Sequence, residues 1–141
     1  MTLGTTSKRR LGQCHPKLQR LIEEVDRRLM KRQVMDLTVV CGHRGQAEQD
    51  AAKAAGRSTK AWPDSKHNRL PSPAVDVAPY PVDWHDRARF ARLAGFIEAV
   101  AADLDIEVRW GGDWDQDGRT ADERFIDMPH LELTDRELSR P

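Results

Sequence analysis

The chain reads as an α+β domain with a small, mainly antiparallel sheet flanked by helices. Two long stretches with helical periodicity carry that prediction, together with four short strand-like runs separated by Gly- and Pro-rich joins. Residues 1–13, polar and then basic through Ser7-Lys8-Arg9-Arg10, are expected to form a flexible lead. From Pro16, Leu18, Leu21, Ile22, Val25 and Leu29 recur at helical spacing among Arg, Lys and Glu, which predicts an amphipathic helix ending before Asp36. Leu37-Thr38-Val39-Val40-Cys41, closed by Gly42, is β-branched and apolar and predicts a buried strand. Gln46 to Gly56 is rich in helix formers and ends on a glycine suited to terminate a helix.

The stretch 57–73 holds Pro63, Pro71 and Pro73 and lacks periodicity, so it reads as loop. In Ala74-Val75-Asp76-Val77-Ala78 a strand would send Val75 and Val77 to the core and Asp76 the opposite way. Asp83 is placed to cap the second long helix, whose apolar stripe is Phe90, Leu93, Ala94, Ile97, Ala101 and Leu104. Ile106 to Trp110 alternates as a half-buried strand, and a Gly/Asp loop runs from Gly111 to about Glu123. His130-Leu131-Glu132-Leu133 alternates again, with His130 and Glu132 on one face, and residues 134–141 read as a polar tail. With 141 residues, the chain is expected to be a single domain over 1–141.

The 23 basic and 23 acidic side chains cancel, so no global field favours nucleic acid or an anionic membrane, and neither is expected as a partner. No apolar run approaches the ~18–20 residues of a membrane span, and no apolar segment follows the basic start as a secretory signal requires. Synthesis in the cytoplasm as a monomer is the expectation. Cys14 and Cys41 form no CxxC pair and read as reduced, partly buried thiols.

Three segments carry candidate metal ligands: Ser65-Lys66-His67, Ala74-Val75-Asp76 and Asp127-Met128-Pro129-His130. Two neutral imidazoles and one carboxylate suit Zn²⁺, and three protein ligands leave a fourth position open. Bound zinc lowers the pKa of water from 15.7 to about 7. Taken singly, each residue is ordinary, since a lone His or strand Asp is more often a surface group than a ligand. The loop Asp113-Trp114-Asp115-Gln116-Asp117-Gly118 matches the first half of a calcium loop, with Asp113, Asp115 and Asp117 as the oxygen donors. Arg124 stands at the twelfth position where a bidentate Glu is required, and Asp122 and Glu123 are off register. A structural turn is the preferred reading of this loop, with calcium as the alternative.

Read as whole motifs, SKHNRLPSPAVDVAPYP resembles the Ser-x-His…Ala-x-Asp signature of the zinc D-alanyl-D-alanine carboxypeptidase superfamily. GGDWDQDGRTADERFIDMPHLEL resembles the Gly-Gly-Asp-Trp…Asp-x-Pro-His segment of its phage-endolysin branch, the L-alanyl-D-glutamate peptidases. Cys41-Gly42-His43-Arg44 and Gln49 look like the family's Gly-x-Arg…Gln segment, so the likeness runs from about His15 to Leu133. His67 and Asp76 are further apart than in many members, and the extra residues fall in the Pro71–Pro73 loop.

The resemblance implies the hedgehog/DD-peptidase fold, with one zinc held by His67, Asp76 and His130. It also implies Asp127 as general base, preferred to Glu132 because the family places its acid before the last His. Arg44 would face the substrate carbonyl or a carboxylate, and Ser65 and Gln49 would hydrogen-bond substrate. The substrate would be the peptide stem of peptidoglycan, reached from the host cytoplasm once another protein opens the membrane. Two rival readings stay open: a D-alanyl-D-alanine carboxypeptidase or dipeptidase, and a non-catalytic zinc- or wall-binding module.

Overall fold

The computed structural model describes residues 3–121, 123 and 126–141. Asp122 and Arg124, weighed above for the acidic loop, lie outside the described residues, as do Met1 and Thr2 of the lead. Among the described residues the chain runs α1 (Thr5–Leu11), α2 (Pro16–Arg32), β1 (Asp36–Cys41), α3 (Gln46–Ala54) and a 3-10 turn (Lys66–Asn68). It continues through β2 (Ala74–Tyr80), α4 (Arg87–Asp103), β3 (Val108–Trp110), β4 (His130–Leu133) and α5 (Asp135–Leu138). The strands form one sheet in the order β1-β2-β4-β3, antiparallel at every pairing. The α+β expectation holds.

One face of that sheet is apolar because Leu37 and Val39, Val75 and Val77, and Leu131 and Leu133 alternate along their strands. Against it pack α2, through Leu18, Leu21, Ile22, Val25 and Leu29, and α4, through Leu93, Ala94, Ile97, Val100 and Ala101. Each of these Leu, Ile and Val side chains contributes about 1.5–3 kcal/mol on full burial, so this layer supplies the main driving force. The opposite face carries Asp76, His130 and Glu132, all nearly buried. Pairing of Asp76 with His130 across β2 and β4 sets the two side by side on that face.

Three expectations are corrected. The lead is not a flexible segment: Thr5–Leu11 is helical, and Leu3 and Leu11 join the core. Apolar residues at 3 and 11 bracket a polar stretch, and the Ser7 hydroxyl accepts from Val39 N while Arg10 donates to Val39 O, which docks α1 on β1. Residues 134–141 are likewise more than a polar tail. Thr134 caps α5, and the carboxylate of Glu137, 1% exposed, accepts from Lys17 Nζ at 2.6 Å and from Glu107 N at 2.7 Å. Asp86, not Asp83, caps α4 by accepting from Arg89 N, while Asp83 accepts from His85 N in the preceding turn.

Candidate metal centre and active site

Each functional side chain is set by a local device that the sequence encodes. Ser65 caps the 3-10 turn by accepting from His67 N, and Asn68 Oδ1 accepts from Ser65 N, so the turn presents His67 rigidly. Asp76 lies on β2 and His130 opens β4. The loop before β4 is fastened to β3 by Gly111: its N–H donates to His130 O, and its carbonyl accepts from Asp127 N. A Cβ on Gly111 would overlap the Asp127 carbonyl oxygen, so only glycine permits that approach. Trp110 Nε1 adds a 2.7 Å bond to Met128 O.

The three expected ligands converge. His67 Nε2 lies 3.1 Å from Asp76 Oδ1 and 3.2 Å from His130 Nδ1, and His130 Nδ1 lies 3.4 Å from Asp76 Oδ1. Atoms bonded at about 2.0–2.1 Å to one tetrahedral ion lie about 3.3 Å apart, so the triangle has the right edges. Donor chemistry points the same way. His67 Nδ1 is 2.7 Å from the Gly42 carbonyl, which only accepts, so that nitrogen carries the hydrogen. His130 Nε2 is 2.9 Å from Glu132 Oε1, a carboxylate held at a pKa of about 2, so it too is the N–H. In the neutral rings, therefore, both inward nitrogens are bare and face a carboxylate oxygen. Three lone pairs at this separation require a cation between them.

The titration shifts express the same demand. Burial pushes the His67 pKa down, but the Asp76 charge and hydrogen bond outweigh it and hold it up at about 10. For Asp76 burial raises the pKa, and the two imidazoles pull it well below the usual carboxylate range. A proton can thus fill the place of a metal, and the two compete. Cys41, His67 and Asp76 form an alternative grouping, as do Asp76, Asp127 and His130. Cys41 Sγ approaches His67 on the Nδ1 side, at 4.0 Å, where the ring hydrogen is already given to Gly42. The His67, Asp76 and His130 set is therefore the better cradle.

Around the floor, Glu132 is more constrained than the sequence suggests. Its Oε1 accepts from His130 and its Oε2 from Lys66 Nζ and Arg109 NH2, each at 2.9 Å. Both of its oxygens are engaged, one in orienting His130 and the other by Lys66 and Arg109, which leaves Asp127 as the carboxylate open to the cleft. Asp127 Oδ2 is 3.9 Å from His130 Nδ1, and its side chain remains 24% exposed toward the cleft. Burial, and next the Asp76 charge, raise its pKa to about 6. Arg44 NH2 lies 3.5 Å from Asp76 Oδ2, and NH1 donates to Gln49 Oε1 at 2.9 Å.

Gln49 itself departs from its expected role. It is fully buried, its carbonyl accepts from Arg44 and Asn68, and its amide donates to Ser58 Oγ and Lys60 O. No donor or acceptor is left over for substrate, so Gln49 aims Arg44 and anchors the loop instead. Ser65 lines the cleft while its oxygen caps the turn. Asp113, Asp115 and Asp117 do come together, within 4.8 Å, and receive backbone N–H groups of Asp117, Gly118 and Arg119. The roles of Lys66, Asn68, Arg109, Gly42 and Gly111 escaped the sequence reading. The signals were Gly42 in the Gly-x-Arg segment and the glycine pair before Asp113, since long-range hydrogen bonds leave no local pattern.

The cleft above this floor has a volume of about 450 Å³ and is walled by Arg44, Ser65, Lys66, Trp114 and Asp127 among others. The Trp114 ring tilts against His130 at 5.3 Å between centroids. A cation-demanding floor with a half-buried carboxylate beside it, at the base of a cleft this size, is the arrangement of a metallopeptidase. The chain belongs to the phage L-alanyl-D-glutamate peptidase family, whose sequence profile matches residues 1–134. It is 32% identical over 136 residues to the L-alanyl-D-glutamate peptidase of Escherichia phage T5, covering 92% of this chain and 96% of that one. Its structure matches the crystal structure of Serratia marcescens L-Ala D-Glu endopeptidase ChiX with a TM-score of 0.73 and 29% identity, over 99% of this chain and 93% of that one. The resemblance read from the motifs, in family and in fold, is thereby shown.

Proposed function

We propose that this chain is a zinc-dependent endopeptidase that hydrolyses the L-alanyl-D-glutamate bond of peptidoglycan stems. The observation that carries the reading is the triangle of bare ligand atoms on His67, Asp76 and His130, beside a carboxylate poised near neutrality. Zinc supplies Lewis acidity toward a carbonyl oxygen and toward water. Everything else falls to the protein. His67, Asp76 and His130 hold the ion, and the Gly42 carbonyl and Glu132 fix both ring tautomers. Asp127 takes the proton of the attacking water and returns it to the leaving amine, work that suits a carboxyl with a pKa of about 6. Arg44, aimed by Gln49, offers its remaining N–H groups to the carbonyl oxygen as charge develops there.

The described residues contain no helix long and apolar enough to cross a membrane. We place the enzyme in the host cytoplasm until lysis, acting as a monomeric single domain on wall peptide once the membrane is opened. Mass spectrometry of purified peptidoglycan, digested with and without a zinc chelator, tests the reading. New L-alanyl and D-glutamyl termini that vanish with the chelator are expected. Release of terminal D-alanine with the L-alanyl-D-glutamate bond intact would replace this reading by a carboxypeptidase.

A further inference from the structure

The chain as a whole is neutral, yet six cationic side chains line the one cleft that holds the candidate centre. Three are already committed. Lys66 pairs with Glu132 and Asp135, Arg109 with Glu132, and Arg44 with Asp76 and Gln49. The other three, Arg57, Lys60 and Arg69, are exposed and form no side-chain hydrogen bond or ion pair among the described residues. All three sit on the stretch 57–69 that contains the 3-10 turn.

Their backbone, by contrast, is held. Arg57 N donates to Ala52 O, Lys60 N to Ser58 Oγ, and the Lys60 carbonyl accepts from buried Gln49 at 2.7 Å. Arg69 N closes the turn onto Lys66 O. A fixed wall therefore presents three cations whose only nearby acid on the same segment, Asp64, pairs with none of them among the described residues. Glu132 and Asp135, which also line the cleft, are paired with Lys66 or Arg109, so these three cations are left to attract an anion into it.

Accepting the endopeptidase reading, the substrate brings that anion. D-Glutamate linked onward through its side-chain carboxyl keeps a free α-carboxylate on the carbon that bears the scissile nitrogen. In a stem that ends at the next residue, the terminal carboxylate of that residue is a second. We propose that Arg57, Lys60 and Arg69 form an anion subsite for a stem carboxylate on the leaving-group side of the cut. The enzyme then selects stems with free carboxylates over stems amidated at that position.

Three synthetic stems of sequence L-alanyl-γ-D-glutamyl-L-lysine test this with the zinc-loaded full chain: free acid, D-glutamyl α-amide, and lysyl C-terminal amide. For wild type, kcat/KM should be ~10- to 100-fold higher for the free acid than for one of the two amides, the scale of a charge-assisted hydrogen bond. Which amide loses rate tells which carboxylate is bound. The combined variant Arg57→Gln, Lys60→Gln, Arg69→Gln should lower the free acid to the level of that amide. Its melting temperature should not change, because these side chains hold nothing in the fold. The wild-type preference should also shrink as salt rises. Equal rates on all three stems, or a preference that survives in the triple variant, would overturn the subsite while leaving the endopeptidase intact. Cleavage of none of them at the L-alanyl-D-glutamyl bond would remove the endopeptidase reading and the subsite with it.

Discussion

Replacing Glu132 by Gln is the sharpest probe of how the centre is held, because the substitution keeps shape and removes only charge and one acceptor. The native carboxylate is 5% exposed and accepts from His130 Nε2, Lys66 Nζ and Arg109 NH2, each at 2.9 Å. Burial alone would raise its pKa, but the His130 and Lys66 bonds hold it down from 4.5 to about 2. A depressed carboxylate stabilises the fold fully above its ordinary pKa and loses that stabilisation as pH falls toward 2. The shift is worth roughly 3 kcal/mol at neutral pH. Gln can still accept from His130, but its amide nitrogen must then face the Lys66 and Arg109 donors, at a cost of about 1–3 kcal/mol.

Two readouts follow at pH 7. Metal-free Glu132→Gln should melt roughly 3–12 °C below wild type. Zinc affinity, measured by competition with a chromogenic chelator, should fall ~10- to 100-fold, because the ring of His130 loses its charged orienting partner. A variant that binds zinc as tightly as wild type would refute the idea that Glu132 acts through His130, whatever its melting temperature.

Asp127→Asn should retain zinc yet lose roughly 10²- to 10⁴-fold in kcat on defined stems, and full activity in that variant would exclude Asp127 as the base. Gly42→Ala would drive a Cβ into the Arg10 carbonyl oxygen and displace the carbonyl that holds His67 Nδ1. Lower melting temperature and weaker zinc binding should therefore appear together, and a change in only one would disconnect the two roles. For the metal-free protein, the raised His67 pKa stabilises the fold fully below 6.5 and is lost as pH rises toward 10. Thermal melts should show this contribution declining across pH 6.5 to 10 in wild type and absent in His67→Ala. A parallel pair of curves would contradict the assignment.

The helices and strands were legible because their signals are local. Leu18 to Leu29 repeats at helical spacing, and Val75 and Val77 flank Asp76 with strand alternation, so each segment declares its own buried face. Missed elements depended on partners far along the chain. The helix over Thr5–Leu11 is held by Val39, and α5 is fixed by Glu137 reaching Lys17. Neither signal exists in a short window, and the capping roles of Asp83 and Asp86 differ by a single turn.

At the centre, the sequence by itself determined which residues can ligate and on which strand face they stand, since side-chain chemistry and period-two alternation are written in the order of residues. Only the tertiary structure decided which partners each one meets. Gln49 could be read as a substrate contact until burial and four hydrogen bonds used every group it has. Glu132 rivalled Asp127 until Lys66, Arg109 and His130 claimed both of its oxygens. A residue's type fixes the bonds it can make. Which bonds remain for substrate depends on neighbours that only folding brings within about 3 Å.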